Sequence, residues 1–135
     1  MSVRRAGGAA VLVIEADDVL ASQLHETLIG GGYAMHRAAS AAEALATIES
    51  ARVDLILMSL LLPDADGLIL CSTLKDRTDA PIVMLSTRSG AVDRALALES
   101  GAVDWLMTRS VEAGDLLSRV ESILQTHVTA QVSPV

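Results

Sequence analysis

Hydrophobic positions along this chain follow two rhythms that alternate from one end to the other. Residues 9–14 form an unbroken apolar run that meets acids at Glu15, Asp17 and Asp18. A run of that length, apolar on both faces, suits a buried parallel strand. Leu20, Leu24 and Leu28 then recur every four residues until Gly30, Gly31 and Gly32 stop the helix. Residues 33–37 predict a short second strand. Ser40 with Glu43 three residues on makes a capping box, and Ala41, Ala44, Leu45 and Ile48 fall on one helical face behind it. Residues 55–58 predict a third buried strand running into Ser59, and Pro63-Asp64-Ala65-Asp66-Gly67 is turn chemistry. A helix with Leu70, Cys71 and Leu74 inward follows. Residues 82–85 and 103–107 predict strands four and five, on either side of a helix over 92–100 that Gly101 ends. The last helix sets Leu116, Leu117, Val120, Ile123 and Leu124 on one side.

Five strand–helix units without a long internal loop predict an α/β fold, a parallel sheet covered by helices on both faces. Right-handed crossovers favour a doubly wound five-stranded arrangement in the order 2-1-3-4-5. In such sheets function lies at the carboxyl ends of the strands, beside the switch point between strands 1 and 3. The residues arriving there are Glu15, Ala16, Asp17, Ser59, Ser86, Thr87 and Thr108. Residues 1–8 are small and basic, a flexible lead-in; 9–127 form one domain; 128–135 make a tail or the start of a linker.

Composition narrows the chemistry. With 135 residues, 51% hydrophobic, the chain can fill one core. A net charge of −7 sets it against a phosphate backbone, so no direct nucleic-acid contact by this domain is expected. Tyr33 and Trp105 are the only aromatics, which excludes base-stacking platforms. The single cysteine excludes an intramolecular disulfide and a multi-cysteine zinc site. No apolar run reaches the ~18 residues of a membrane span and the start lacks a signal-peptide pattern, so a cytoplasmic protein without membrane contact is expected. The first turn, Glu15-Ala16-Asp17-Asp18, has no glycine to cradle a phosphate. Ser59 is outside any Gly-x-Ser-x-Gly, and His25, His36 and His127 lie away from strand ends and read as solvated. Magnesium wants more than one carboxylate. Glu15 and Asp17 sit two apart and face opposite ways along a strand, while Ala16 and Ser59 bring no anion. Both acids therefore read as solvated groups beside the first helix, and neither metal nor cofactor is expected.

Four segments in order resemble the receiver domain of bacterial two-component response regulators, from about Val11 to Gln125. Val11-Leu12-Val13-Ile14-Glu15-Ala16-Asp17 resembles the acidic end of the first strand. Asp54-Leu55-Ile56-Leu57-Met58-Ser59-Leu60-Leu61-Leu62-Pro63-Asp64-Ala65-Asp66-Gly67 resembles the phosphoacceptor strand and its loop. Ala80-Pro81-Ile82-Val83-Met84-Leu85-Ser86 resembles the switch-hydroxyl strand, and Gly101-Ala102-Val103-Asp104-Trp105-Leu106 the fifth. The resemblance implies a flavodoxin-like receiver fold, and it makes the departures informative. Ser59 stands where the family carries its phosphoacceptor aspartate, Ala16 where it carries a magnesium-binding acid, and Thr108 where it carries a lysine, with Arg109 in place of the following proline. Phosphoryl transfer depends on metal and cation neutralising charge, so a degenerate receiver is expected, with no catalytic residue and no enzyme activity. No general base is evident near Ser59. Ser86 and Trp105 match the positions of the family's conformational relay.

Residues 92–99 resemble the winged-helix transcription-factor branch, in which the fourth helix, fifth strand and fifth helix form a symmetric dimer through crossed ion pairs. Arg94 with Asp115, and Asp104 with Arg119, match two such pairs in sign. The reading is thus a phosphorylation-independent regulatory module in signalling and transcription control, acting on a protein partner or on itself, with a fused output domain compatible with the tail. The alternatives are a receiver still phosphorylated or metal-bound through unconventional residues, and a small-molecule sensor using the emptied crevice.

Overall fold

The computed structural model describes residues 8–86, 91–107 and 113–132. Along the chain β1 (Ala10–Ile14), α1 (Asp18–Gly30), β2 (Ala34–Ala38), α2 (Ala41–Ser50), β3 (Leu55–Ser59), α3 (Gly67–Lys75), β4 (Ile82–Ser86), α4 (Ala91–Glu99), β5 (Asp104–Met107) and α5 (Ala113–Val132) alternate. The strands form one parallel sheet in the expected order, β2-β1-β3-β4-β5.

The three inner strands are buried on both faces, apart from Ser59 at the end of β3. Their alternate side chains sort into two cores. Leu12, Ile14, Ile56, Met58, Ile82 and Met84 pack with Ala44 of α2, Leu70 and Leu74 of α3 and Ala97 of α4. Val11, Val13, Leu55, Leu57, Val83 and Leu85 pack with Leu24 and Leu28 of α1 and with Leu116, Val120 and Leu124 of α5. Each of the large aliphatic side chains contributes roughly 1.5–3 kcal/mol by leaving water. Among the described residues no helix is long and apolar enough to cross a membrane.

The ends of elements differ from the sequence reading for local reasons. Gly32, at φ +93°, turns the chain so that the Tyr33 N–H donates to the Leu28 carbonyl at 3.0 Å. Tyr33 thereby joins the core ahead of the strand, and β2 runs over Ala34–Ala38 rather than 33–37. Val103 is half exposed and precedes β5, although its N–H reaches the Ile82 carbonyl at 2.8 Å. Helix α5 continues through Val132, past Leu124 and through residues 128–132, where a tail or linker was expected.

The β3–α3 connection brings backbone close to backbone beside the strand ends. Gly67 donates its N–H to the Leu60 carbonyl at 2.9 Å, Leu61 bridges to Asp66, and the Asp66 carboxylate accepts the Leu68 N–H at 2.7 Å to cap α3. A Cβ on Gly67 would lie 2.6 Å from both Cα and O of Leu60. Gly67→Ala is therefore expected to cost roughly 1–3 kcal/mol in urea unfolding, since backbone cannot swing aside as a side chain can. Gly114→Ala, in open space in the first turn of α5, is expected to be neutral or to stabilise by up to ~1 kcal/mol in the same measurement.

Candidate functional site: the crevice at the strand ends

The β1–β3 register ends on Ile14 beside Met58 and leads Glu15 and Ser59 side by side past the sheet. Glu15 is only 6% exposed, and both its oxygens are engaged: Oε1 accepts from the Ser59 hydroxyl and Oε2 accepts the Asp17 N–H at 2.9 Å. Expected as a solvated acid, Glu15 is instead a buried one. The reason is that a carboxylate withdrawn from water needs hydrogen-bond donors, and Ser59 and the Asp17 amide supply them. The same contact corrects the expectation that no base stands near Ser59, because the Glu15 carboxylate accepts a hydrogen bond from its hydroxyl. Asp17 does lie exposed at the helix start, as expected, where Oδ1 accepts from the Val19 and Leu20 amides at 2.8 and 3.2 Å and caps α1. Ala16 is exposed and brings no side-chain donor.

Two residues that the sequence reading passed over fix the loops around this pair. Arg37, near the end of β2, donates from Nε and Nη2 to the Glu15 carbonyl at 3.0 and 2.8 Å, and from Nη2 to the Ala16 carbonyl at 3.3 Å. It also pairs with Asp18 at 3.0 Å. Asp64, read only as turn chemistry, accepts the Ala41 and Ala42 amides at 2.8 and 3.0 Å, so it caps α2 from another loop. Helix α2 keeps its own capping box too, with Glu43 N–H on the Ser40 hydroxyl and Ala39 N–H on Glu43 Oε1. The signal for Arg37 was available: in a 2-1-3 order, a cation closing the second strand lies beside the acidic end of the first.

Of the remaining candidates, Ser86 is buried at the end of β4, and Trp105 is partly buried against the core under α2, α3 and α4. Arg94 and Asp115 are both exposed. The Asp104 carboxylate pairs with Arg119 of the same chain and also accepts the Trp105 N–H at 2.8 Å. Two charges assigned to a contact between molecules are thus already joined within one. His25 is exposed and His36 half-buried. Thr87, Thr108 and Arg109 lie outside the described residues, as does the His127 side chain.

The family resemblance implies a magnesium site here, and the donors present do not fit one. Glu15 is committed to Ser59 and to an amide, Asp17 to the start of α1, and positions 16 and 59 carry no anion. Among the described residues no group of three or more His, Cys, Asp or Glu could hold a metal ion.

Comparison with known proteins places the chain. It matches the response regulator receiver domain family over residues 11–121, and it belongs to that family. The DNA-binding response regulator MtrA of Mycolicibacterium smegmatis is 35% identical over 115 residues, covering 85% of this chain and 50% of that protein. The transcriptional regulatory protein CseB of Streptomyces coelicolor is 31% identical over 115 residues, covering 85% and 49%. A two-component response regulator from Clostridium difficile superposes with a TM-score of 0.83 at 29% identity, covering 87% of this chain and 96% of that one. The chain spans about half the length of the curated relatives it matches.

The two amide hydrogen bonds on Asp64 hold its carboxyl below the ordinary 3.8. A carboxyl with a lowered folded pKa adds stability that is present above the unfolded value and is lost as pH falls through the folded one. Thermal stability is therefore expected to drop as pH is lowered below ~4, and Asp64→Asn to flatten part of that acid limb. Scanning calorimetry of both proteins between neutral pH and the acid limb checks this.

Proposed function

We propose that this domain is a receiver that signals without phosphoryl transfer: a regulatory protein-interaction module with no enzymatic step, in which Ser59 and Glu15 satisfy each other where the family gathers aspartate, metal and phosphoryl group. The Ser59–Glu15 hydrogen bond carries the reading. A carboxylate whose two oxygens already accept a hydroxyl and an amide is a poor ligand for a divalent ion, and Ser59 adds no anion beside it. Without a phosphoryl group no ligand binds one conformation better than another, so no phosphorylation-driven shift is available.

Output then rests on a constant surface, the face of α4, β5 and α5. Arg94 and Leu98 lie four apart on α4 and share a side of it, and Leu98 is 41% exposed. Apolar surface beside a charge that matches Asp115 of a second copy supports a two-fold dimer, with a docked protein as the other occupant. Nucleic-acid contact belongs to a fused output domain rather than to this acidic one. In the relatives named as transcriptional and DNA-binding regulators the matched part is about half of the protein, which supports that division.

The decisive experiment is incubation with magnesium and acetyl phosphate or beryllofluoride, read by intact mass and melting temperature. Neither is expected to change, and a stoichiometric phosphoprotein on Ser59 would overturn the proposal. It would mean that the Glu15 carboxylate activates the hydroxyl it touches. For the dimer, Arg94→Glu is expected to weaken self-association by about tenfold, and adding Asp115→Arg to restore it, by sedimentation equilibrium. A wild type that remains monomeric throughout the concentration range removes self-association and leaves docking.

A further inference from the structure

We infer that the hydrogen bonds around the crevice rim form one closed clasp, running β2–β1–β3–α2 and back to β2, that holds the strand ends as a single cooperative unit without an ion. The ring can be followed residue by residue. Arg37 at the end of β2 grips the carbonyls of Glu15 and Ala16 beyond β1. The Glu15 side chain takes the Ser59 hydroxyl at the end of β3. From Ser59 the chain passes through a turn held by the Gly67–Leu60 hydrogen bond and the Leu61–Asp66 bridge. That turn delivers Asp64 to the amides of Ala41 and Ala42 at the start of α2. Four residues back lies Arg37, across a connection stiffened by the Ala39–Glu43 hydrogen bond and by the Ala38 carbonyl, which accepts the Glu15 N–H at 3.0 Å.

Closure separates a clasp from a set of local contacts. In an open chain of bonds, losing one frees only its neighbours. In a ring, the first break releases the constraint on every member and the second finds little left to release. Arg37 and Asp64 do not bond each other, and groups that share no partner ordinarily contribute to stability additively. Less-than-additive behaviour between these two is therefore the signature of the ring. The clasp goes beyond the signalling proposal: a phosphorylated Ser59 would sink that proposal and leave the clasp to be judged on its own measurement.

The test is native-state hydrogen exchange by mass spectrometry, with thermal midpoints, on the full chain carrying Arg37→Gln, Asp64→Ala, both, or Ser59→Ala. Each single substitution is expected to raise exchange several-fold in all three rim segments, 15–20, 38–43 and 59–67. The double variant is expected to add little to either single one in exchange or midpoint. Arg77→Gln, which breaks the exposed Arg77–Glu49 pair away from the ring, is the control and should leave all three segments unchanged. Exchange that rises only in the segment whose own bond was removed, or midpoint losses that sum, overturns the clasp. If Asp64→Ala does not fold, Asp64→Asn, which keeps one acceptor oxygen, carries the same comparison.

Discussion

A single buried carboxylate governs the functional end of this molecule. Glu15 leaves the sheet at the close of β1 and is covered almost completely, and burial of an acid is tolerable only if donors meet both its oxygens. One donor is the amide of Asp17, which brings the chain round into the cap of α1; the other is the hydroxyl of Ser59, which joins β1 to β3 past their last ladder contact. With those two places taken, the end of β3 offers a serine hydroxyl and the end of β1 an acid whose oxygens are both engaged. The Glu15 carboxylate is thus met by donors from within the protein.

Much of the fold is legible in the sequence because the strongest signals are the ones that burial enforces. Runs apolar on both faces can be covered only from two sides, so the inner strands follow from pattern, and the handedness of the crossovers favours the order found. Element ends are less legible, since they depend on a single backbone bond: Tyr33 leaves β2 because its amide turns back to Leu28. The site is half legible. The resemblance draws attention to Ser59, Ala16 and Thr108 by their residue types, and spacing separates Glu15 from Asp17. The burial of Glu15 is not readable, because a lone acid at a strand end looks solvated until its partner on another strand is known. Asp64 hides for a similar reason: aspartate in a proline–glycine turn has a sufficient local explanation, and the two amides it caps lie over twenty residues away in the chain.

Family membership and local chemistry thus speak to different levels of the molecule. The receiver architecture is present with its register, its two cores and its β3–α3 turn, and in that turn the close backbone approach of Leu60 to Gly67 leaves no room for a Cβ. Ala16, at the loop after β1, is exposed, and Ser59 is only partly buried at the end of β3, so the side chains at these two positions make little demand on the two cores. What the scaffold gains is mutual satisfaction of neighbours, Arg37 with two carbonyls and Glu15 with Ser59.

The ion pair between Asp104 and Arg119 sets a limit on how any two-fold assembly could use those side chains. To reach across an axis, each guanidinium would first release the carboxylate it already holds, so the number of charge contacts would be the same before and after. An exchange of that kind yields almost no net attraction. It would fix the angle at which two copies meet while leaving their adhesion to apolar surface such as Leu98, and a joint of that kind would open as readily as it closes.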